Sequence, residues 1–411
     1  MAAFHGKAMD DGFRVFYINS ILGVGSTGRL IAGLMEELGK RGVEAKAAYG
    51  RFNAPESLNS YRILSGAAVR LHGAMSRITD RHGLYSAAAT RRLIKIIEEF
   101  DPTLIHVHNV HGYYLHYKVL FDYLKACGKK LVWTLHDCWA FTGHCTHYQY
   151  IGCEKWKKGC FDCPQKREYP ASFVMDASKS NYGLKRRLFT GIRNLRLVTP
   201  SEWLKEQVGS SFLSEYETDV VPTGIDLETF KETDSSAIKE KYGLKGKRVL
   251  LGVANPWRER KGLKDFIRLA GRTDKDTAIV MIGPGLHKMG RLPENIRAIP
   301  KTDSALEMAQ WYSLADVFVN LTYEDTFPTT NIEALACGTP VITYRAGGSM
   351  ESLNEECGIG VEVGDIQGVL AALERIGQGS GSYRADLCRR RAEDFAAKKR
   401  FEEYITRIYG L

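Results

Sequence analysis

No apolar run in this chain approaches the roughly 18 to 20 residues needed to span a bilayer, and the opening MAAFHGKAMDDGF (residues 1–13) lacks the apolar core of a secretory signal. Both absences lead to the expectation of a protein that stays in the cytoplasm. There is no internal repeat of short period and no low-complexity tract. What the chain does have is 411 residues, 44% of them hydrophobic and 26% charged, the composition of a soluble globular protein. That length is too great for one ordinary hydrophobic core, so two domains are expected.

Nine cysteines in a large chain without a signal imply reduced thiols rather than a disulfide framework. Five of them fall between Cys138 and Cys163, a clustering that core packing does not produce. The net charge of +9 is modest, yet residues 151–200 hold 11 Lys/Arg against 4 Asp/Glu. Such a patch suits an anionic surface such as phospholipid headgroups, a lipid diphosphate or nucleic acid; its plain alternative is a solvated charged face.

Short Val/Ile/Leu-rich runs alternate with longer amphipathic segments, the pattern of a parallel sheet covered by helices on both faces. FRVFYIN (13–19) reads as a strand and GVGSTG as a flexible turn, after which Leu30, Ile31, Leu34, Met35 and Leu38 recur at helical spacing until Gly42. Further strands are predicted at 103–109, 130–137 and 196–201, then at 248–254, 278–283, 316–322 and 340–345. Pro222 and Gly224 mark the linker, giving domains 1–222 and 223–394. From Phe395 to Leu411 one or two helices place Phe401, Tyr404, Ile405 and Ile408 on a common face, able to pack against either domain. Most of the segment 138–175 has no period, and a loop that long inside a domain is usually functional or stapled.

In open α/β sheets ligands bind beyond the carboxyl ends of the strands, so the residues following each apolar run carry the chemistry. These are Gly23, Gly25, Ser26 and Gly28; His106, His108, Asn109 and His111; His136 and Asp137; and, in the second half, Arg258, Arg260, Lys261, Lys301, Asp325 and Glu333. The most specific stretch is YEDTFPTTNIEALACGTPVI (323–342), where Asp325 precedes Glu333 by eight positions and a helix begins near Thr329. A helix start offers free N–H groups and a positive dipole end to a diphosphate, while a carboxylate one turn in can accept from ribose hydroxyls. Two acids at this spacing, taken alone, are more often surface charges.

They are not alone. EALACGTPVI and AGGSMESL (346–353) resemble the signature of the family 4 glycosyltransferases of the GT-B class, Glu-x7-Glu followed by Ala-x-Ala-x-Gly-x-Pro-Val, with Asp325 in place of the first Glu. VVPTGID, VTPSEWL (198–204) and ADVFVNLTYED are similar to further family elements, so the resemblance spans nearly the whole chain. It implies two doubly wound, Rossmann-like α/β domains facing each other across a cleft, with the donor nucleotide sugar held mainly by the second. Lys261-Gly262 is similar to the phosphate-binding Lys-Gly, but the usual arginine upstream is replaced by Asn255 and Pro256, leaving Arg260 or Arg258 as substitute. Gly25, Ser26, Arg260, Lys261, Lys301, Thr329, Thr330, Asn331 and Glu333 are the implied donor contacts, and His136, Asp325, Glu333 and Lys261 the implied catalytic set.

IHVHNVHGYY with TLHDCWAFTGHC looks most like the subgroup that builds exopolysaccharide, the colanic-acid-type transferases, which makes His108, Asn109, His111 and Trp139 candidates for the acceptor side. His106 and His108, pointing the same way on a strand, could instead indicate metal. Cys145, Cys153, Cys160 and Cys163, closing with GCFDCP, are candidate ligands of a structural zinc, with free thiols packed in the loop as the alternative. No cofactor is expected for catalysis itself.

What the resemblance implies is transfer with retention of configuration and no catalytic metal, to a glycan or polyprenyl-diphosphate-linked acceptor in cell-surface polysaccharide synthesis. The basic region, with Lys185, Arg186 and Arg187, is read as a peripheral contact with the anionic inner leaflet, and no nucleic-acid partner is expected. Two rival readings remain: a nucleotide-sugar epimerase on the same fold, and a non-catalytic sugar- or nucleic-acid-binding protein.

Overall fold

The computed structural model describes residues 12–286, 292–379 and 381–411; residues 1–11 of the opening segment read above lie outside the described residues. The chain divides into two compact units, Met1–Pro222 with Arg400–Leu411, and Thr223–Lys399.

The first unit holds β1 (Arg14–Asn19), β2 (Glu44–Tyr49), β3 (Ser60–Arg62), β4 (Leu104–Val107), β5 (Lys130–Thr134), β6 (Leu195–Thr199) and β7 (Thr218–Val220). They form one parallel sheet in the order β3-β2-β1-β4-β5-β6-β7. The second holds β8 (Arg248–Val253), β9 (Thr277–Ile282), β10 (Ile296–Ile299), β11 (Val317–Asn320), β12 (Val341–Tyr344) and β13 (Gly358–Val361), again parallel, in the order β10-β9-β8-β11-β12-β13. In each sheet the order reverses beside the first strand, between β1 and β4 and between β8 and β11. These reversal points are where adjacent connections leave to opposite faces and open a crevice.

The sequence dictates this locally. Both faces of a parallel sheet are covered, so its strands read as continuous apolar runs whose alternate residues feed two cores. Phe16 and Ile18 enter the cluster that contains Trp133 and Leu197, while Val15 and Tyr17 enter the opposite one with Leu34. Leu30, Ile31, Leu34, Met35 and Leu38 are buried along the Gly25–Lys40 helix, as their spacing predicts. β2, β3, β7, β10 and β13 are absent from the sequence reading. They lie toward the sheet edges, and several are too short or too polar to show an apolar run.

The chain returns to the first unit at Arg400 rather than at Phe395. The Ala397–Glu403 helix runs into a π-helical turn, Tyr404–Tyr409, whose Tyr404, Ile405, Ile408 and Tyr409 join Val15 and Leu34 in one core cluster. Gly33 makes room for it: a Cβ there would lie 2.3 Å from Phe401 Cζ. Among the described residues no helix is long and apolar enough to cross a membrane.

Candidate active site

In the second unit the turns after β8 and β11 bring the predicted charges together. Lys261 Nζ donates to Asp325 Oδ2 at 2.8 Å, and Asp325 Oδ1 accepts from the backbone N–H of Phe327 at 3.2 Å. Arg260 Nη1 donates to Oε1 of the buried Glu324 at 3.2 Å, and the Tyr323 N–H donates to Arg260 O at 2.9 Å. Gly262, at φ +77, lets the turn pass this close: a Cβ would stand 2.2 Å from Leu321 O. The Lys-Gly pair is therefore steric as well as electrostatic, since no other residue fits beneath β11.

The Thr329–Ala336 helix starts next to this pair, and no side chain caps its first turn. Thr329 and Thr330 are half-buried there. Backbone N–H groups at such a start suit a diphosphate. Glu333 is buried one turn in, where Oε2 accepts from Tyr312 OH at 2.9 Å.

In the first unit β4 and β5 deliver a row of imidazoles. His106 Nδ1 lies 2.7 Å from Tyr409 OH and Nε2 2.8 Å from Thr134 Oγ1. His108 lies against His106 with ring centres 4.1 Å apart and tilted by 32°, and it stacks on His136, its Nδ1 3.0 Å from His136 Nε2. Burial, then the neighbouring imidazoles, pushes His106 and His108 well below the usual histidine range. Burial outweighs the Asp137 carboxylate at His136 and brings it down to about 4. All three rings are thus neutral at pH 7, and the His108–His136 contact is one in which one ring donates and the other accepts.

Asp137 is the charged member of this site. Burial alone would raise its carboxyl, but His111, His147 and the Trp139 N–H together hold it at about 2. His111 Nε2 lies 2.9 Å from Asp137 Oδ2, and its Nδ1 is 3.2 Å from Tyr169 OH. A small, open pocket is lined here by His108, Asn109, His111, His136 and Asp137.

Residues 27–229 match the family model described as Glycosyltransferase Family 4, and residues 247–378 that described as Glycosyl transferases group 1. The chain belongs to these glycosyltransferases. It is 27% identical over 328 residues to WcaC of Escherichia coli (strain K12), a protein named as a colanic acid biosynthesis glycosyl transferase, covering 74% of this chain and 75% of that one. Among solved structures it resembles sucrose-phosphate synthase of Thermosynechococcus elongatus, with a TM-score of 0.71 at 15% identity over 97% of this chain and 98% of the other. HepE of Anabaena, solved in complex with UDP, superposes with a TM-score of 0.66 at 15% identity over 97% and 100%. The architecture is therefore GT-B, and the protein is a group 1 glycosyltransferase.

The residues read from the transferase's sequence do not all gather at one point. Lys261, Asp325, Arg260 and the helix start converge. Lys301 stands apart at the end of the edge strand β10, two strands and about 10 Å from β8, 81% exposed with Asp303 beside it at 3.9 Å. Asn331 is fully buried and its amide is committed to the fold: Nδ2 donates to Ser349 O and Ser352 Oγ, and Oδ1 accepts from Asn320. Trp139 is also a core residue, with the Lys185 ammonium 3.3 Å from its ring centre, and it reaches the small pocket only as part of the wall. Gly25 and Ser26 open the first helix, exposed, with Gly25 at φ +64.

Two residues were missed. Asn19, at the end of β1, donates from Nδ2 to Ile21 O and Thr27 Oγ1 and accepts at Oδ1 from the Asn109 N–H, tying the glycine turn to the loop after β4. A polar residue closing an apolar strand was the available signal. Tyr312, the partner of Glu333, lies on a helix that reads as ordinary core, and nothing in its spacing marks it.

The loop after β5 is stapled by hydrogen bonds and a buried ion pair. Among the described residues no three His, Cys, Asp or Glu side chains are gathered to hold a metal ion, and Cys145, Cys153, Cys160 and Cys163 are free. Burial, then the other three thiols, pushes Cys145 well above the usual range, and Cys160 Sγ accepts from the Gly143 N–H at 3.1 Å. Lys185 holds the loop, its Nζ donating to Trp139 O at 2.7 Å and Thr142 O at 3.0 Å, together with the buried His144–Asp80 pair. Lys185 is therefore no part of a basic surface; Arg186 and Arg187 are exposed. The paired histidines of β4 serve hydrogen bonds.

Proposed function

We propose that this transferase moves a sugar from a nucleotide-sugar donor, with retention of configuration, to a saccharide or polyprenyl-diphosphate-linked acceptor on the cytoplasmic side of the cell membrane. The observation that carries it is the Lys261–Asp325 pair beside an uncapped helix start at the strand-order reversal of the second unit. Lys261 and the free N–H groups near Thr329 and Thr330 answer the main physical demand of the reaction, stabilising the departing nucleoside diphosphate while positive charge grows on the sugar ring. Asp325 is placed to receive sugar hydroxyls once the donor phosphates take over Lys261. Glu333, held by Tyr312, offers its remaining lone pairs to ribose.

In the first unit His136 is neutral and Asp137 ionised, a pair suited to orienting hydroxyls rather than to taking a proton outright. In such a retaining transfer the acceptor hydroxyl attacks from the leaving-group face and passes its proton to the departing phosphate, so no dedicated base is assigned. The UDP and UDP-glucose complexes of HepE make uridine donors the first to try.

The reading is tested by thermal-shift and turnover assays against UDP-, GDP- and other nucleotide-linked sugars, with Glu333→Ala in parallel. Stabilisation by one donor class that the variant loses supports it. Interconversion of the donor sugar without transfer would establish an epimerase instead, and a folded protein that answers to no donor would leave only a binding role.

A further inference from the structure

The Gly66–Thr79 helix turns His72, Gly73 and Ser76 inward and Leu71, Met75 and Ile78 outward. That 71/75/78 spacing sets the three on one stripe of the helix. Next to the stripe runs the aperiodic segment Phe173, Val174 and Met175. It is fastened to the last helical turn, because the Phe173 N–H donates to Arg77 O at 2.7 Å and the Met175 N–H to Ile78 O at 3.0 Å. The six apolar side chains are between 36% and 67% exposed and form one outward ridge. A contiguous apolar ridge of this kind on a protein surface marks an interaction site.

Two further features identify the partner. The first is charge: Arg70, Arg77 and Arg81 stand exposed on or just beyond the helix, with Arg167 and Lys179 exposed near the segment. The helix itself contains no acid, Asp80 is buried against His144, and Asp176 accepts from the Cys163 and Ser178 N–H groups. The second is the backbone. Met75 O accepts from Thr79 Oγ1, Ser76 O from the Asp80 N–H, Val174 O from Lys166 Nζ and Met175 O from Ser172 Oγ. With Arg77 O and Ile78 O taken by the segment, these six carbonyls are satisfied from within. A protein partner could supply such bonds itself; hydrocarbon cannot, which is why irregular backbone enters it only when already paired.

We propose that this ridge docks the enzyme on an anionic bilayer. Phe173, Val174 and Met175, with Leu71, Met75 and Ile78, enter the boundary between headgroups and acyl chains, and Arg70, Arg77, Arg81, Arg167 and Lys179 meet the lipid phosphates. The inference goes beyond the transfer reading by assigning the membrane contact to a surface, and it needs no donor chemistry to hold.

The experiment is co-sedimentation of the full chain with vesicles of phosphatidylcholine alone and of phosphatidylcholine mixed with phosphatidylglycerol. It compares the wild type with a combined Phe173→Ser, Val174→Ser, Met175→Ser variant and with Arg70→Gln, Arg81→Gln. The wild type is expected to bind the mixed vesicles more tightly. The serine variant loses about tenfold or more of that partition, and the glutamine variant loses about fivefold of the anionic preference per charge. Both keep the wild-type melting temperature and donor turnover with a water-soluble acceptor. Serine-variant binding equal to wild type would overturn the proposal. So would a wild type that ignores both vesicles but sediments as a dimer which the serine variant dissolves, since the ridge would then face a second copy. Because sedimentation reads no turnover, failure of the donor assay and failure of this one are separate results.

Discussion

Lys261 and Asp325 leave opposite sides of the strand-order reversal in the second unit, and Nζ meets Oδ2 at 2.8 Å. The half-buried pair neutralises a charge that the donor diphosphate is proposed to claim. Lys261→Ala is expected to lower kcat/KM by about 10²- to 10³-fold, and Asp325→Asn to lower it less. Because the two side chains touch, the double variant should lose less than the product of the single losses. Steady-state kinetics of the four proteins decide it, and strictly multiplicative losses would show that the pair does not act as a unit.

Tyr312 OH is a donor to the buried Glu333 carboxylate. Tyr312→Phe removes the donor and leaves the acceptor in place, so a loss of about 1–3 kcal/mol in urea denaturation is expected, together with a raised KM for the donor. Glu333→Gln, which keeps the shape of the site, should retain more stability than it retains activity.

The first unit should weaken in mild acid. His72 and His136 are held at about 4 in the fold by burial, and His82, His106 and His108 are pushed well down for the same reason. Between about pH 6.5 and 4 the unfolded chain therefore binds more protons than the folded one, and stability falls as pH falls through that window. Asp137, held at about 2, adds a loss only below the ordinary aspartate range. Melting curves from pH 7.5 to 4.5 are expected to slope downward, and His106→Gln to flatten the slope; a pH-independent melt would contradict the buried neutral imidazoles.

Lys185 is a structural residue. Lys185→Met keeps the stem but strips the donor from Trp139 O and Thr142 O, and about 1–3 kcal/mol of stability should go with each buried carbonyl left bare. Limited proteolysis should then cut the 138–175 loop sooner, while binding to anionic vesicles stays as in the wild type.

Gly33 and Phe401 test the return of the chain. Gly33→Ala places a methyl 2.3 Å from the Phe401 ring, an overlap expected to cost about 1–3 kcal/mol. Adding Phe401→Leu should recover part of the melting temperature, which an unrelated defect at Gly33 would not allow.

By itself the sequence determined the repeated strand–helix alternation, the break after Pro222, and the pair of acids eight residues apart, of which the second opens EALACGTPVI. These are local matters: apolar periodicity is written into adjacent residues, and a motif that must bend at Gly262 and begin a helix at Thr329 carries its constraints in its own few side chains. Only the tertiary structure decided the rest. It turned Lys185 inward onto two carbonyls, spent Asn331 on the fold, and set Tyr409, some 300 residues away in sequence, against His106. The reason is that burial and hydrogen-bond partnership belong to pairs of distant segments. A lysine in a basic run reads the same whether it faces water or an indole ring, and only the packing of the Ser178–Phe189 helix against the loop distinguishes the two.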